Sequence, residues 1–323
     1  MKALVTGATG FIGSFLTKKL IATRHGVRAL VLPAENASCL EDAGMEIFRG
    51  DLTKPESLRG ICDGVDVVFH LAGRVTDWGT RKQFYTAIYN ATGNLLEEAS
   101  GKATRFVYIS LIAALGFGRH LKGAVETDPG RLSGVPYNDA KTETETLVRR
   151  YHTEGKIRCT IVRPANVIGP GSVWVRDILD KMKLALPLID GGRYSGSFVY
   201  VENLVDGIIL AATREIAAGK TYHLRDDWHV TWRRYLTDLG VCAGRKPRGN
   251  IPFAIAWPIA WLSDAICTPL RIRPPVSRLG VAVLGRDNDV DTSLAREDLG
   301  WATRVPYGDA IKAITAWVKE KHI

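Results

Sequence analysis

The chain opens on an apolar run, Ala3-Leu4-Val5-Thr6, with no charge inside it, a pattern that predicts a short buried strand. Phe11, Ile12, Phe15, Leu16 and Leu20 then recur at helical spacing, with Lys18 and Lys19 on the other side. Arg24 and His25 fall near the end of that helix, and Gly26 is the expected stop. Further apolar runs predict strands at Val27–Leu32, Met45–Phe48, Val65–Gly73, Arg105–Leu111 and Cys159–Pro164. Amphipathic stretches such as Gln83–Ser100 and Asn138–Tyr151 separate them. Strands alternating with helices predict an α/β fold of Rossmann type, a doubly wound parallel sheet covered on both faces. Ligands of such sheets sit at the carboxyl ends of the strands.

Between the first strand and the first helix lie Gly7, Gly10 and Gly13 at intervals of three. In a strand-to-helix turn, a missing Cβ permits a tight bend. It also lets a pyrophosphate approach the backbone N–H groups of a helix N-terminus. The spacing is T-G-x-x-G-x-x-G rather than G-x-G-x-x-G, and its strand-and-helix context is the one a dinucleotide turn requires.

Composition narrows the class. The length of 323 residues permits one or two domains, and no uncharged apolar run reaches a bilayer span. Five scattered cysteines without C-x-x-C spacing suggest a reducing compartment and no metal site. The start reads as a strand and not as a signal peptide, so the expected location is cytoplasmic. The net charge of +9 is dispersed, without a block of five basic residues. That favours solubility or a phosphate-bearing cofactor, with no nucleic acid as partner.

The chemistry lies in "YNDAK", which puts Tyr137 and Lys141 on one face at a helix start. A nearby ammonium stabilises phenolate and is expected to lower the Tyr137 pKa from about 10. Such a tyrosine passes a proton to or from a carbinol oxygen while hydride moves at a nicotinamide.

With these motifs in order, the chain resembles an extended short-chain dehydrogenase/reductase of the NAD-dependent epimerase/dehydratase superfamily over nearly its whole length. The carriers are "TGATGFIG", "GDL", "HLAG", "YNATGN", "YNDAK", "RPANVIGPG" and "FVYVENLVDGIILAA". "VTDWG", "VENLVDG" and "DNDVDTSLAREDLGW" are most similar to the dihydroflavonol-reductase and 3β-hydroxysteroid-dehydrogenase branch. The resemblance implies NAD(P) held by Gly7, Thr9, Gly10, Phe11, Ile12 and Gly13, with Asp51 and Leu52 at the adenine. Leu71, Ala72 and Gly73 would line ribose and phosphates, and Pro164 would abut the nicotinamide. Tyr137 and Lys141 would meet both cofactor and substrate. Asn90 matches the active-site asparagine, Tyr137 the acid/base and Lys141 its partner.

Two positions depart from the family pattern. Where a second hydroxyl should follow Ser110, the chain has Leu111, leaving Ser110 as the candidate catalytic hydroxyl. At the end of the second strand, Val31-Leu32-Pro33-Ala34-Glu35 carries neither the acid of an NAD site nor the arginine of an NADP site. Glu35 is the nearest acid, and it is displaced.

Residues 1–170 are expected to form the dinucleotide-binding core, and 171–323 mainly a smaller C-terminal substrate-binding lobe with segments returning to the core. Gly196-Ser197-Phe198 replaces the Arg-Asp-Tyr-like run of nucleotide-sugar members, and Arg193 is out of place, which favours an apolar carbonyl compound. "IPFAIAWPIAWLSDAICTPLRIR" reads as a buried helix of that lobe. Its alternatives are a pocket wall or a membrane-surface patch helped by Arg271 and Arg273. Trp78 is read as either a pocket residue or a packing anchor, and the charges of Thr142–Arg150 as a solvated helix face. The expected function is oxidoreduction between a secondary alcohol and a ketone on a small-molecule substrate. A nucleotide-sugar epimerase/dehydratase, or a catalytically weak dinucleotide sensor, is the alternative. A homodimer and peripheral membrane contact stay open as partners.

Overall fold

Seven short runs become the strands of one parallel sheet in the computed structural model, which describes residues 1–116 and 118–322. They are β1 (Lys2–Thr6), β2 (Gly26–Val31), β3 (Glu46–Arg49), β4 (Val67–His70), β5 (Arg105–Ile109), β6 (Arg158–Pro164) and β7 (Thr221–Leu224). The spatial order is β7-β6-β5-β4-β1-β2-β3. The order reverses beside β1, which pairs with β2 on one side and β4 on the other. The crevice at that reversal is where an open α/β sheet takes its ligand.

Alternation along the strands sends side chains to two cores. Ala3 and Val5 pack with Leu16 and Leu20 of the Phe11–Ala22 helix and with Leu204 and Ile208 of the Val201–Thr213 helix. Leu4 faces the other way, into a cluster with Val68, Phe106, Tyr108, Leu95 and Leu147. Each such aliphatic side chain, buried fully, contributes about 1.5–3 kcal/mol. Helices therefore cover both faces, as the strand–helix alternation predicts. A third cluster, including Leu179, Phe198, Trp232, Leu239 and Ile314, lies within the C-terminal half.

Three local readings change. Gly26 does not stop the first helix, because it is already the first residue of β2; Arg24 instead takes the left-handed turn at φ +60°. The strand β7 escapes the apolar-run reading because "TYHL" carries two polar residues, all four of its positions being buried. The stretch Gln83–Ser100 is not one regular helix. An α-helical turn, Arg81–Tyr85, passes through a π-helical turn, Thr86–Asn90, into the helix Ala91–Ala99. Such single π turns concentrate at functional sites.

Candidate active site

The glycine turn is fixed by close approach. Gly7 sits at φ +72°, and a Cβ there would lie 3.0 Å from the Ala72 nitrogen. A Cβ at Gly13 would lie 2.0 Å from the Gly7 carbonyl oxygen, so the helix packs on the turn only without a side chain. Gly10 precedes the helix in extended conformation, with no side-chain cap on the first-turn N–H groups. Thr9 and Gly10 are exposed, while Phe11 and Ile12 are half-buried. An open, uncapped helix N-terminus with its glycines forced by contact fits a pyrophosphate.

The other expected cofactor residues gather around it. Leu71, Ala72 and Gly73 leave the end of β4, and the Ala72 N–H donates to Thr6 Oγ1 at 3.2 Å. Asp51, past the end of β3, accepts from the backbone N–H and hydroxyl of Thr53. Those bonds, the backbone one foremost, hold its carboxyl below the usual range. The Leu52 carbonyl accepts from Asn94 Nδ2 at 2.8 Å, tying this loop to the helix after the π turn. Pro164 is buried at the end of β6, opposite Leu224 of β7. A buried chain, Thr6–His70–Thr92, links β1, β4 and that helix through two 2.8 Å contacts. Burial, and then the charge of Lys141, pull His70 down to about 3, so it bridges as neutral imidazole. Its place in "HLAG" was legible, but the hydroxyls that hold it are distant in sequence.

Tyr137 and Lys141 share one face of the helix Pro136–Thr153, as spacing predicts. Tyr137 packs on Phe84, ring centroids 5.8 Å apart, and belongs to a cluster with Ile88 and Ala140. The π turn ending at exposed Asn90 is thereby set beside Tyr137. Lys141 is buried, donates to the Ile109 carbonyl at 2.7 Å, and stands over the Tyr108 ring at 4.7 Å. Burial pulls it down to about 8, partly opposed by Glu145. The expected depression of Tyr137 is reversed: burial pushes the phenol up to about 12. The ammonium is committed to a backbone carbonyl, and the desolvation of the phenolate outweighs it.

One turn beyond Lys141, Glu145 corrects the reading of a solvated helix face. Its carboxylate pairs with Arg163 through two bonds, 2.9 and 2.7 Å, both side chains at most 2% exposed. Burial pushes Glu145 up, but the Arg163 bonds and charge more than offset it and hold it below the ordinary carboxylate range. Ser110 belongs to this buried group. Its hydroxyl is enclosed, close enough to help hold the Glu145 charge, yet it meets no hydrogen-bond geometry. Glu145 lies eight residues from Tyr137, about 12 Å along the helix axis. Ser110, expected to be catalytic, thus has its hydroxyl enclosed beside Glu145. Leu111 follows it in extended backbone and is half-buried.

Tyr137 opens on a pocket of about 280 Å³ lined also by Trp78, Phe84 and Trp261. Asp77 and Asp264 stand at its wall, each tied by a C-terminal arginine. Arg273 donates to Asp77 at 3.0 Å, and Arg278 to Asp264 at 3.0 Å. Sequence reasoning missed these residues as a group; Asp264 interrupting an apolar run was the available signal. At the end of β2, Glu35 folds back to accept the Leu32 N–H at 3.2 Å, and Arg49 donates to the carbonyls of Pro33 and Glu35. Among the described residues no cluster of three or more metal-ligating side chains occurs, and no helix is long and apolar enough to cross a membrane.

An open glycine turn lies at the reversal of the parallel sheet, and the Tyr–Lys pair meets the end of β5, two strands along, an arrangement that fits a dinucleotide-dependent oxidoreductase. The chain belongs to the NAD dependent epimerase/dehydratase family, which matches residues 3–224. It is 32% identical to a 4-hydroxy-2-methyl-3-oxo-4-farnesyl-3,4-dihydroquinoline-1-oxide ketoreductase of Stigmatella aurantiaca, over 97% of this chain and 96% of that protein. It is 28% identical to a 3 beta-hydroxysteroid dehydrogenase/Delta 5-->4-isomerase of Mycobacterium tuberculosis, over 93% and 85% of the two chains. In fold it superimposes on a UDP-glucose 4-epimerase from Thermotoga maritima with a TM-score of 0.79, at 21% identity and full coverage of both chains. The chain is an NAD-dependent enzyme of the extended short-chain dehydrogenase type.

Proposed function

We propose that the protein interconverts a secondary alcohol and a ketone on a small apolar molecule, using NAD(P). The observation that carries this reading is the pocket itself: Tyr137 meets aromatic walls, Trp78, Phe84 and Trp261. The charged residues at that wall are two carboxylates and an arginine already paired with one of them, a poor setting for the diphosphate of a nucleotide sugar. The ketoreductase and hydroxysteroid dehydrogenase relatives act, by their names, on carbonyl or hydroxyl groups of apolar ring systems, which supports the same substrate class.

In this reading Gly7, Thr9, Gly10, Phe11, Ile12 and Gly13 hold the pyrophosphate, with Asp51, Leu52, Leu71, Ala72, Gly73 and Pro164 along the rest of the dinucleotide. The bound nicotinamide supplies or accepts hydride. Tyr137, protonated at neutral pH, donates its proton to the carbonyl oxygen in the reductive direction. Lys141, still largely charged below about pH 8, holds the Ile109 end of β5 and the local positive potential. Asn90, exposed at the end of the π turn beside Tyr137, serves as the active-site asparagine that the resemblance implies, and residues 171–323 form mainly the substrate lobe. Ser110 supports Glu145 rather than the substrate oxygen.

The test is a turnover assay with NADH and NADPH against a panel of apolar cyclic ketones. Tyr137→Phe should lower turnover by about 10²–10⁴-fold while the fluorescence titration of reduced cofactor stays near wild type. Equal turnover in that variant would sink the assignment.

A further inference from the structure

We propose that the helix Phe253–Cys267 and the segment after it seat the protein on an anionic lipid surface, with the substrate pocket opening beside the seat. Sequence patterning favours a buried helix here, and the structure contradicts it. Only Phe253, Ala256 and Ala260 are buried, packing on Ile189 and Val281. Ile255, Ile259, Leu262 and Ile266 recur at spacings of four, three and four, each about half exposed (49–54%). That spacing lays them in one stripe along the helix. Trp261 at 56%, Leu270 at 63% and Ile272 at 56% extend the apolar surface. An exposed patch of this extent marks an interaction site rather than ordinary surface.

Charge indicates what covers it. From Ala254 to Leu270 the only charged residue is Asp264, and it is turned inward to Arg278. Cations flank the apolar stretch at both ends: Lys246 and Arg248 before it, and Arg271 after it, all exposed. Arg273, expected to join them, is instead spent on Asp77 and Asp177. An apolar helix face flanked along the chain by exposed cations suits acyl chains beneath anionic headgroups. A second copy of the chain would bring the same rim cations and no exposed acid from this stretch to meet them. The helix, at 15 residues, lies on such a surface and does not cross it.

The position gives the seat a purpose. Trp261, Ala265 and Pro269 are exposed on this surface and also line the pocket that holds Tyr137. An apolar substrate dissolved in the lipid would reach the tyrosine without crossing water. This last clause rests on the proposed substrate class; the lipid contact does not.

The experiment is flotation of the full-length protein with vesicles of phosphatidylcholine, with or without roughly one third phosphatidylglycerol. The wild type should float with the anionic vesicles, less so at high salt, and weakly with the neutral ones. Ile259→Glu/Ile266→Glu changes two exposed positions outside the pocket and should lower partitioning about tenfold or more. Its thermal melting, and its turnover of a water-soluble ketone without vesicles, should match wild type. Equal flotation of wild type and variant overturns the proposal. So does a wild-type dimer that ignores vesicles and that the same substitutions dissolve. If no ketone is turned over but flotation behaves as described, the functional reading falls and the lipid seat stands.

Discussion

The first three turns of the Tyr137 helix have two ends built on opposite principles. At the inner end, Lys141 and Glu145 are enclosed against the sheet, and each charge is answered by a fixed partner, the Ile109 carbonyl and the Arg163 guanidinium. At the outer end, Tyr137 faces aromatic rings supplied in part by a helix whose other face is exposed. The inner end sets protonation states through desolvation and pairing. The outer end sets what can approach. Substitutions inside should therefore register as stability and pH dependence, and those outside as substrate preference with the fold intact.

The largest stability effect should come from Glu145→Gln. It leaves Arg163, 2% exposed, without its counter-charge, and breaking such a buried pair costs about 3–5 kcal/mol. The folded pKa of Glu145 is depressed, so its contribution is present above the unfolded carboxylate value and fades as pH falls through the folded one. Urea melts of wild type and variant should differ fully at pH 7 and converge in acid. A constant gap down to pH 3 would place the Glu145 proton elsewhere.

Lys141→Met gives the next effect, and with the opposite pH course. The folded pKa of about 8 lies below the unfolded value, so burying this lysine is a penalty at neutral pH. That penalty is relieved as pH rises from about 8 toward 10.4, a swing on the order of 3 kcal/mol. Wild type should gain on the variant across that window in paired melts. Parallel curves would mean that Lys141 is not desolvated as placed.

Gly13→Ala tests the cofactor wall, on the helix Phe11–Ala22. The added Cβ, 2.0 Å from the Gly7 oxygen, forces the helix off the turn at a cost of about 1–3 kcal/mol. Binding of reduced cofactor, followed by fluorescence, should weaken along with it. A variant that melts like wild type would show the turn to be looser than these contacts require.

Legibility in the sequence divides along the same line. The dinucleotide turn could be read because strand, glycines and helix are contiguous, and the contacts at Gly7 and Gly13 answer to that one stretch. The Tyr–Lys pair could be read because four-residue spacing fixes a shared face. Glu145 could not: its charge resembled a solvated helix pattern until Arg163, distant in sequence, was set against it. The tyrosine pKa failed for a related reason, since proximity in sequence says nothing of how far each group is desolvated. The Phe253–Cys267 helix misled because high apolarity implies burial only where a partner surface exists. Its pocket role depends on Arg278 and Asp264 meeting across the fold.

The smallest effects, and the sharpest test of which end is which, belong to Ser110 and Leu111. Ser110 is 5% exposed, and its hydroxyl stands beside Glu145 without hydrogen-bond geometry, so Ser110→Ala removes only the smallest of the supports of that charge. Replacing an unpartnered buried polar group by an apolar one is close to neutral, within about 0.5 kcal/mol. Turnover should be unchanged. Leu111 is half-buried and extended, at the position where the resemblance implies a substrate-facing hydroxyl. Leu111→Ser should then raise turnover, by about tenfold. That is less than the 10²–10³-fold of a fully preorganised donor, because nothing around it is arranged to hold the new hydroxyl. The reverse pattern, a damaging Ser110→Ala and a silent Leu111→Ser, would move Ser110 from the closed end of the helix to the open one. It would also require that the hydroxyl leave Glu145 when substrate binds, and a loss of the acid-dependent stability gap on ligand addition would reveal that movement.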